Sequence, residues 1–424
     1  MRFRSGMLCL ICVLRACSLA WAQDRAILTT TDFESGSVSV VDFQTDLAAV
    51  NLLNIHSDAA VRIYGGLVYV INRFGEDNIL VLDPDDLATP VLQFSVGNGT
   101  NPQDIAFLSQ TKAYIARRAS DRLLIVNPAT GDSLGGIDLS FVADADGLPE
   151  MKFVTIFGRS LYVTCQRLDR DNFSSPTDRS EVVVVDIDTD TVVDLDSEQD
   201  GIQGIVLQAK NPFGGQVRIG RKLYLSCVGS FSDLTDGGIE VLNLEENLTE
   251  GVVLGEDLLG GNAGSIAFTS EELGYVVVSD ASFANSVKGF DLASGGTVSG
   301  TLLGGSGGYV PEIAAWKGQL YVLDQGSFGS PGTAGLLIYD VSSESLVTGP
   351  ISTGLPPNSI AFLETSSSAD FDGSGGVDFM DFLSFVLAFD STQGDANWDS
   401  RFDLDGDLEI NFGDFLVFAR FFGQ

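Results

Sequence analysis

Between residues 26 and 365, short runs of β-branched and aliphatic residues alternate with glycine-rich polar turns, and no stretch of any length carries a helical period. Three kinds of run recur. One reads GLVYVIN, KAYIARR, SLYVTCQ, KLYLSCV, LGYVVVS and QLYVLDQ, with AILTTTD as a seventh member. A second reads SVSVVDF, NILVLDP, RLLIVNP, EVVVVDI, GIEVLNL, VKGFDL and GLLIYDV. The third reads AAVRIYG, PQDIAFL, MKFVTIF, GQVRIGR, GSIAFTS, PEIAAWK and NSIAFLE. Seven units over about 340 residues give roughly 48 residues each, the size of a four-stranded propeller blade.

The phase of the repeat points to closure. The chain enters at the second strand of a unit, from Ala26, and leaves with a first strand, Asn358 to Glu364, that has no unit of its own. Pairing the two would complete a seventh blade and hide the edges of an open array. A pair of β-sandwiches or a β-helix is the alternative architecture. The units, read as P-x-x-I-A-F, L-Y-V and V-x-V-x-D, resemble YVTN-type seven-bladed propellers over most of 26 to 365, although no unit carries the full Y-V-T-N tetrapeptide. That resemblance implies a fold more than a function.

After the small polar linker 364 to 369 the pattern changes. The last 55 residues hold eleven of the 28 phenylalanines, and VDFMDFLSFVLAF recurs at an offset of 33 as INFGDFLVFARFF. Each copy follows an acidic loop with oxygen-bearing residues at alternate positions. Calcium takes about six to eight oxygens, which a 12-residue loop supplies from positions 1, 3, 5, 7, 9 and 12. In the first loop these are Asp370, Asp372, Ser374, the Gly376 carbonyl, Asp378 and Asp381. In the second they are Asp403, Asp405, Asp407, the Glu409 carbonyl, Asn411 and Asp414. Val377 and Ile410, at position 8, are free to face a core. Position 6 needs a sharp turn; Gly375 supplies it once, whereas Leu408 should strain it. Amphipathic helices are predicted over 379 to 389 and 412 to 422.

This module, 370 to 424, resembles a type I dockerin, a paired EF-hand-like unit. The resemblance implies two calcium ions, calcium-dependent folding, and docking to a cohesin-like or cell-envelope partner, often on polysaccharide-degrading proteins. Where many dockerins carry a Ser-Thr-like pair, this chain has Phe379-Met380 and Phe412-Gly413. The predicted fold is thus mainly β, a seven-bladed propeller (23 to 365) followed by a small α-helical paired calcium-loop domain.

Charge narrows the partners. With 58 acidic residues against 23 basic ones, a net charge of −35 argues against nucleic acid and anionic membrane surfaces. The first 22 residues read as an export signal: Arg2 and Arg4, an apolar run from Leu8 to Leu14, and an A-x-A site ending at Ala22. Cys17 follows Leu14-Arg15-Ala16 and offers lipoprotein processing as the rival. Either way the protein is predicted to be secreted or held at the cell surface. No other segment reaches the ~18 apolar residues of a membrane span. Cys165 and Cys227 fall at equivalent places in neighbouring units. Packed sheets lie about 10 Å apart, beyond the ~7 Å reach of a disulfide, so both are predicted to be buried free thiols.

Candidate chemistry in the propeller lies at the turns entering the innermost strands, where a protein or glycan could be gripped. Gln103, Glu150, Lys152, Gln216, Arg218, Glu312 and Asn358 are the candidates, with Asn101, Asp104, Asn211 and Tyr309 beside them. The single histidine, His56, rules out a multi-histidine metal site and leaves no histidine-based triad in prospect. The acidic run 186 to 200 reads as a solvated outer hairpin. The favoured reading is a non-catalytic secreted binding protein tethered by its tail. The alternatives are an extracellular carbohydrate-active enzyme using two carboxylates, with catalytic residues not identifiable, and a structural surface protein stabilised by calcium.

Overall fold

The computed structural model describes residues 24–172, 175–303, 308–327, 331–363, 369, 371, 377–395, 397–404 and 408–422. The predicted leader, and Asp370, Asp372, Ser374, Gly376, Asp405 and Asp407 of the calcium loops, lie outside them.

Seven antiparallel sheets form the propeller; in blades 1 to 6, which follow one another in chain order, the innermost strand comes first. Blade 1 runs Ala59–Tyr64, Leu67–Asn72, Asn78–Asp83 and Asp86–Ser95. The innermost strands of blades 2 to 6 are Pro102–Ser109, Met151–Phe157, Pro212–Ile219, Asn262–Phe268 and Ile313–Trp316. Blade 7 is built from both ends of the propeller. Its inner strand Pro357–Leu363 pairs with Arg25–Thr31 in the register Ala26 to Phe362, Ile27 to Ala361 and Leu28 to Ile360. The closure anticipated from the repeat phase is therefore the observed one.

The core is a ring of layers between blades. One such layer joins Tyr69, Ile71, Ile79 and Val81 of blade 1 to Ile105, Ala113, Ile115 and Val126 of blade 2. Six blades place the tyrosine of their L-Y-V-like run in such a layer, at Tyr69, Tyr114, Tyr162, Tyr224, Tyr275 and Tyr321, none more than 4% exposed. A buried phenol needs a partner for its hydroxyl. Tyr114 and Tyr162 reach the outer hairpin of the next blade, donating to Asp190 and to the Asn247 side chain, each at 2.6 Å. The repeat thus encodes a bolt between blades as well as a strand.

Blade 3 departs from the pattern. Its outer strand is only Thr191–Val192, and Ile205–Val206 pairs with Glu181–Asp186 instead. The segment 193 to 204, which carries Asp194, Asp196, Glu198 and Asp200 of the acidic run, separates the two. Lys112 and Arg159 pair with Asp190 and Asp188 at its start. Cys165 and Cys227 end the second strands of blades 3 and 4, buried and unbridged, with burial raising both thiol pKa values.

In the tail, helices run over Phe379–Ala388 and Phe412–Phe421. Each ends one residue before its predicted limit; Phe389 and Phe422 take extended ψ values of 144° and 122°. The apolar interior is mostly phenylalanine. Phe385, Phe402 and Phe418 are at most 7% exposed, with the position-8 residues Val377 and Ile410 at 2% and 0%. No helix among the described residues is long and apolar enough to cross a membrane.

Candidate functional site: the mouth of the channel

The innermost strands all begin at one end of the central channel, beside the turns that join second to third strands. One of these turns shows how the mouth is assembled. Asp77, 2% exposed, accepts from the backbone N–H of Gly99 at 2.6 Å and of Asn101 at 2.8 Å, fixing the entry to blade 2. Asn101, held at φ 51°, then accepts from the Gln103 amide at 2.7 Å and from Phe74 N–H at 3.2 Å. Gln103 in turn accepts from the Lys152 ammonium at 3.0 Å. A run of hydrogen bonds thus carries the backbone geometry of blade 1 to a lysine of blade 3.

The cavity at this mouth measures about 820 Å³. Its charged lining among the described residues is Arg62, Arg73, Arg118, Lys152, Asp58 and Glu312, and its aromatic lining includes Phe33, Phe74, Phe153, Phe213 and Tyr309. Arg62 donates to Asp104 at 2.9 Å, and that pairing raises its pKa. Arg73 pairs with Asp58. Glu312 accepts from Ser359 and from Ile360 N–H, while burial holds its carboxyl above the usual range. Lys152 lies over the Phe213 ring at 5.1 Å and the Phe153 ring at 5.4 Å. Burial, with Arg73 and Arg118 nearby, brings its pKa down to about 7. Innermost strands also approach closely: a Cβ on Gly214 would collide with the Gly264 carbonyl of the next blade.

Of the candidates read from the sequence, Asn101, Gln103, Lys152, Gln216, Tyr309, Glu312 and Asn358 line this cavity. Asp104 stands behind Arg62. Glu150, Asn211 and Arg218 are not part of the lining. Asn211, 1% exposed, bonds Gln166, Ser180 and the Gly229 carbonyl and so fixes a turn. Arg218 turns outward to the Gly220 carbonyl. Glu150, fully buried, accepts from Leu168 N–H at 3.0 Å and from Arg170 at 3.1 Å, and burial brings its pKa up to about 7. Asp144, Asp146 and Glu150 lie close enough to share a cation, with Arg170 already against Asp146 and Glu150. His56 lies in the turn 56 to 58, where its ring accepts from Asp58 N–H at 3.0 Å. Arg62, Arg73, Arg118, Phe33, Phe74 and Phe213 were not singled out in the sequence. They sit in strands or in turns between second and third strands, and no shared motif marks them.

The tail repeats one arrangement in its two loops. Asp381, fully buried, accepts from Phe371 N–H at 2.6 Å and from Asp378 N–H at 2.8 Å. Asp414, also fully buried, accepts from Leu404 N–H at 2.6 Å and from Asn411 N–H at 2.7 Å. In loop numbering, position 12 takes the N–H groups of positions 2 and 9 in both. Asp378 and Asn411 also cap their helices, accepting from Met380 and Gly413 N–H. Leu408 takes φ 69°, the left-handed turn that position 6 requires, and its N–H donates to Asp403 at 3.1 Å.

No family model and no curated protein matches the chain. Among solved structures, apo AztD from Citrobacter koseri is similar at 14% identity and a TM-score of 0.49, over 80% of this chain and 98% of that one. The dihydro-heme d1 dehydrogenase NirN in complex with DHE gives 14% and 0.48, over 80% and 75%. A Synechocystis apocarotenoid oxygenase mutant gives 11% and 0.48, over 81% and 92%. These values are too low for any argument about chemistry, and the strand order above establishes the propeller independently.

Proposed function

We propose that this chain is an exported binding protein in which the propeller takes a ligand at its channel mouth and a calcium-folded tail tethers it to a partner. The observation that carries the calcium reading is the duplicated closure of the loops by Asp381 and Asp414. Binding two backbone N–H groups per carboxylate draws the start and end of each loop together, and oxygen donors stand at the remaining alternate positions of the sequence. This donor set is all oxygen, which suits a hard cation and not a thiophilic one. Residues at positions 1, 3, 5, 7, 9 and 12 of each loop would hold an ion, whose charge would offset the acidic loop and allow the tail to pack.

A tethering role draws support from the helix surfaces. Phe379 and Leu383 on one helix, and Phe412 and Leu416 at the matching repeat positions on the other, are 59%, 42%, 62% and 49% exposed. Large apolar side chains in matched exposed positions fit a partner surface. For the propeller, the cavity offers positioned polar and aromatic groups, whereas its two lining carboxylates are engaged by Arg73 and by Ser359 with Ile360.

Calorimetric titration of the full chain with calcium tests the tail. Two sites are expected, one lost in Asp381→Ala and the other in Asp414→Ala. A wild-type protein that takes up no calcium would sink this reading.

A further inference from the structure

The mouth contradicts the chain's overall charge. In a protein of net charge −35 with only 23 basic residues, four of them line one cavity against two carboxylates. Two of the four are already neutralised, Arg62 by Asp104 and Arg73 by Asp58. The other two form no ion pair among the described residues. Lys152 donates to a neutral amide oxygen. Arg118 has a buried Nε with no hydrogen-bond partner. Placing unpaired cations together where they are half-buried is unfavourable unless an anion arrives to balance them. Burial lowers the pKa of both groups; Arg73 and Arg118 add to the lowering at Lys152, whereas Glu150 opposes it at Arg118.

The rim supplies the second half of the argument. Phe33, Phe74 and Phe213 are 57%, 71% and 43% exposed around the same opening. Phe33 and Phe74 sit at φ 72° and 32°, backbone that bulky residues avoid at a cost of ~1–3 kcal/mol. Phe213 packs edge-on against Phe231 with ring centroids 5.3 Å apart, which keeps its ring at the rim. Exposed rings on strained backbone, beside unpaired cations, form a surface for a ligand with an apolar face and a charged edge.

We infer that the channel mouth binds an anionic group, carboxylate or sulfate, carried on a ring-sized body with an apolar face. Arg118 and Lys152 receive the anion, and Phe213, Phe74 and Phe33 receive the face. This rests on the reading of the mouth as the ligand site. Two sources share that chemistry, an acidic saccharide and an aromatic acid.

The test is calorimetric titration of the full chain with trigalacturonate and with 2-naphthoate. Each is set beside its neutral methyl ester, in low and in physiological salt. Either acid should bind roughly tenfold or more tightly than its ester, with affinity falling as salt rises. Arg118→Gln and Lys152→Met should each remove most of that preference. Phe213→Ala should weaken acid and ester alike. A single cooperative thermal transition in each variant, no lower than that of the wild type, would show that they fold. Preference for trigalacturonate identifies the saccharide source, and preference for naphthoate the aromatic one. Equal binding of acid and ester, lost in Phe213→Ala, would overturn the anion assignment and leave the mouth as a ligand site. If no acid or ester binds, both the assignment and the mouth as the site of such ligands fall.

Discussion

The propeller and the tail solve the problem of folding an acidic chain in different ways. The propeller buries continuous aliphatic and tyrosine layers between seven sheets, and closes the ring by pairing Arg25–Thr31 with Pro357–Leu363. Its stability is spread over many interfaces, so no single charge governs it. The tail has two ten-residue helices and an interior made mostly of phenylalanine. A unit that small rarely buries enough to be stable alone and usually needs a staple. On the proposed reading, cations held by the acidic loops would be that staple. The propeller should therefore respond to core damage and the tail to cation supply.

The strongest way to break that contrast is to attack the closure. Leu28, fully buried opposite Ile360, should tolerate no charge. Leu28→Asp is expected to cost more than ~4 kcal/mol and to unfold the propeller in urea at far lower concentration. The calcium titration of the tail should persist. Loss of both together would show that the two regions fold as one unit.

Cation removal comes next. Calcium at about 1,000 times its dissociation constant adds roughly 4 kcal/mol per site. Scanning calorimetry of the full chain with a chelator should therefore bring down one small transition and leave the large one in place. A single transition that moves as a whole would erase the contrast.

The mouth gives a pH-dependent prediction of intermediate size. Folding lowers the pKa of Lys152 to about 7, against roughly 10.4 for a free lysine. The unfolded chain then holds a proton that the folded chain releases, so stability contributed through this residue rises with pH across that window. Asp58, Asp104, Arg73 and Arg118 set the field around the ammonium. Lys152→Met should raise the melting temperature most below pH 7, and the gain should shrink as pH rises toward the free-lysine value. A gain independent of pH would mean that packing, not charge, is the cause.

The smallest effect is expected at Leu408. Its φ of 69° costs a non-glycine residue ~1–2 kcal/mol. Leu408→Gly should relieve the turn and strengthen the second calcium site by about fivefold, the equivalent of ~1 kcal/mol, leaving the first unchanged. Weaker binding in this variant would show that the leucine side chain supports the loop.

How legible these features were in the sequence differs by their physical basis. The L-Y-V-like runs announced the second strands because six of the seven blades bury a tyrosine there, beside an aliphatic residue. The thiols Cys165 and Cys227 could be placed for the same reason, as members of a repeated core position. The helix limits in the tail came within one residue because Asp378 and Asn411 cap locally, through bonds to residues two positions away. Gln103, Lys152, Gln216, Glu312 and Asn358 were found by their position in a repeat, at or near the start of an innermost strand. Glu150 has an equivalent position and points elsewhere, since its direction depends on Arg170, which lies well along the chain, whereas Arg218 sits at the far end of its strand, beside the hairpin turn, and bonds Gly220.

The number of blades, the phase of closure and the oxygen pattern of the loops are written in the order of residues, because period and spacing are properties of consecutive positions. Which cations meet is set by the folded ring. Arg62, Arg73, Arg118 and Lys152 come from three blades and share no motif. Their unbalanced charge exists only where the ring brings those blades to one channel, and an electrostatic field depends on distances in space, not on order in the chain.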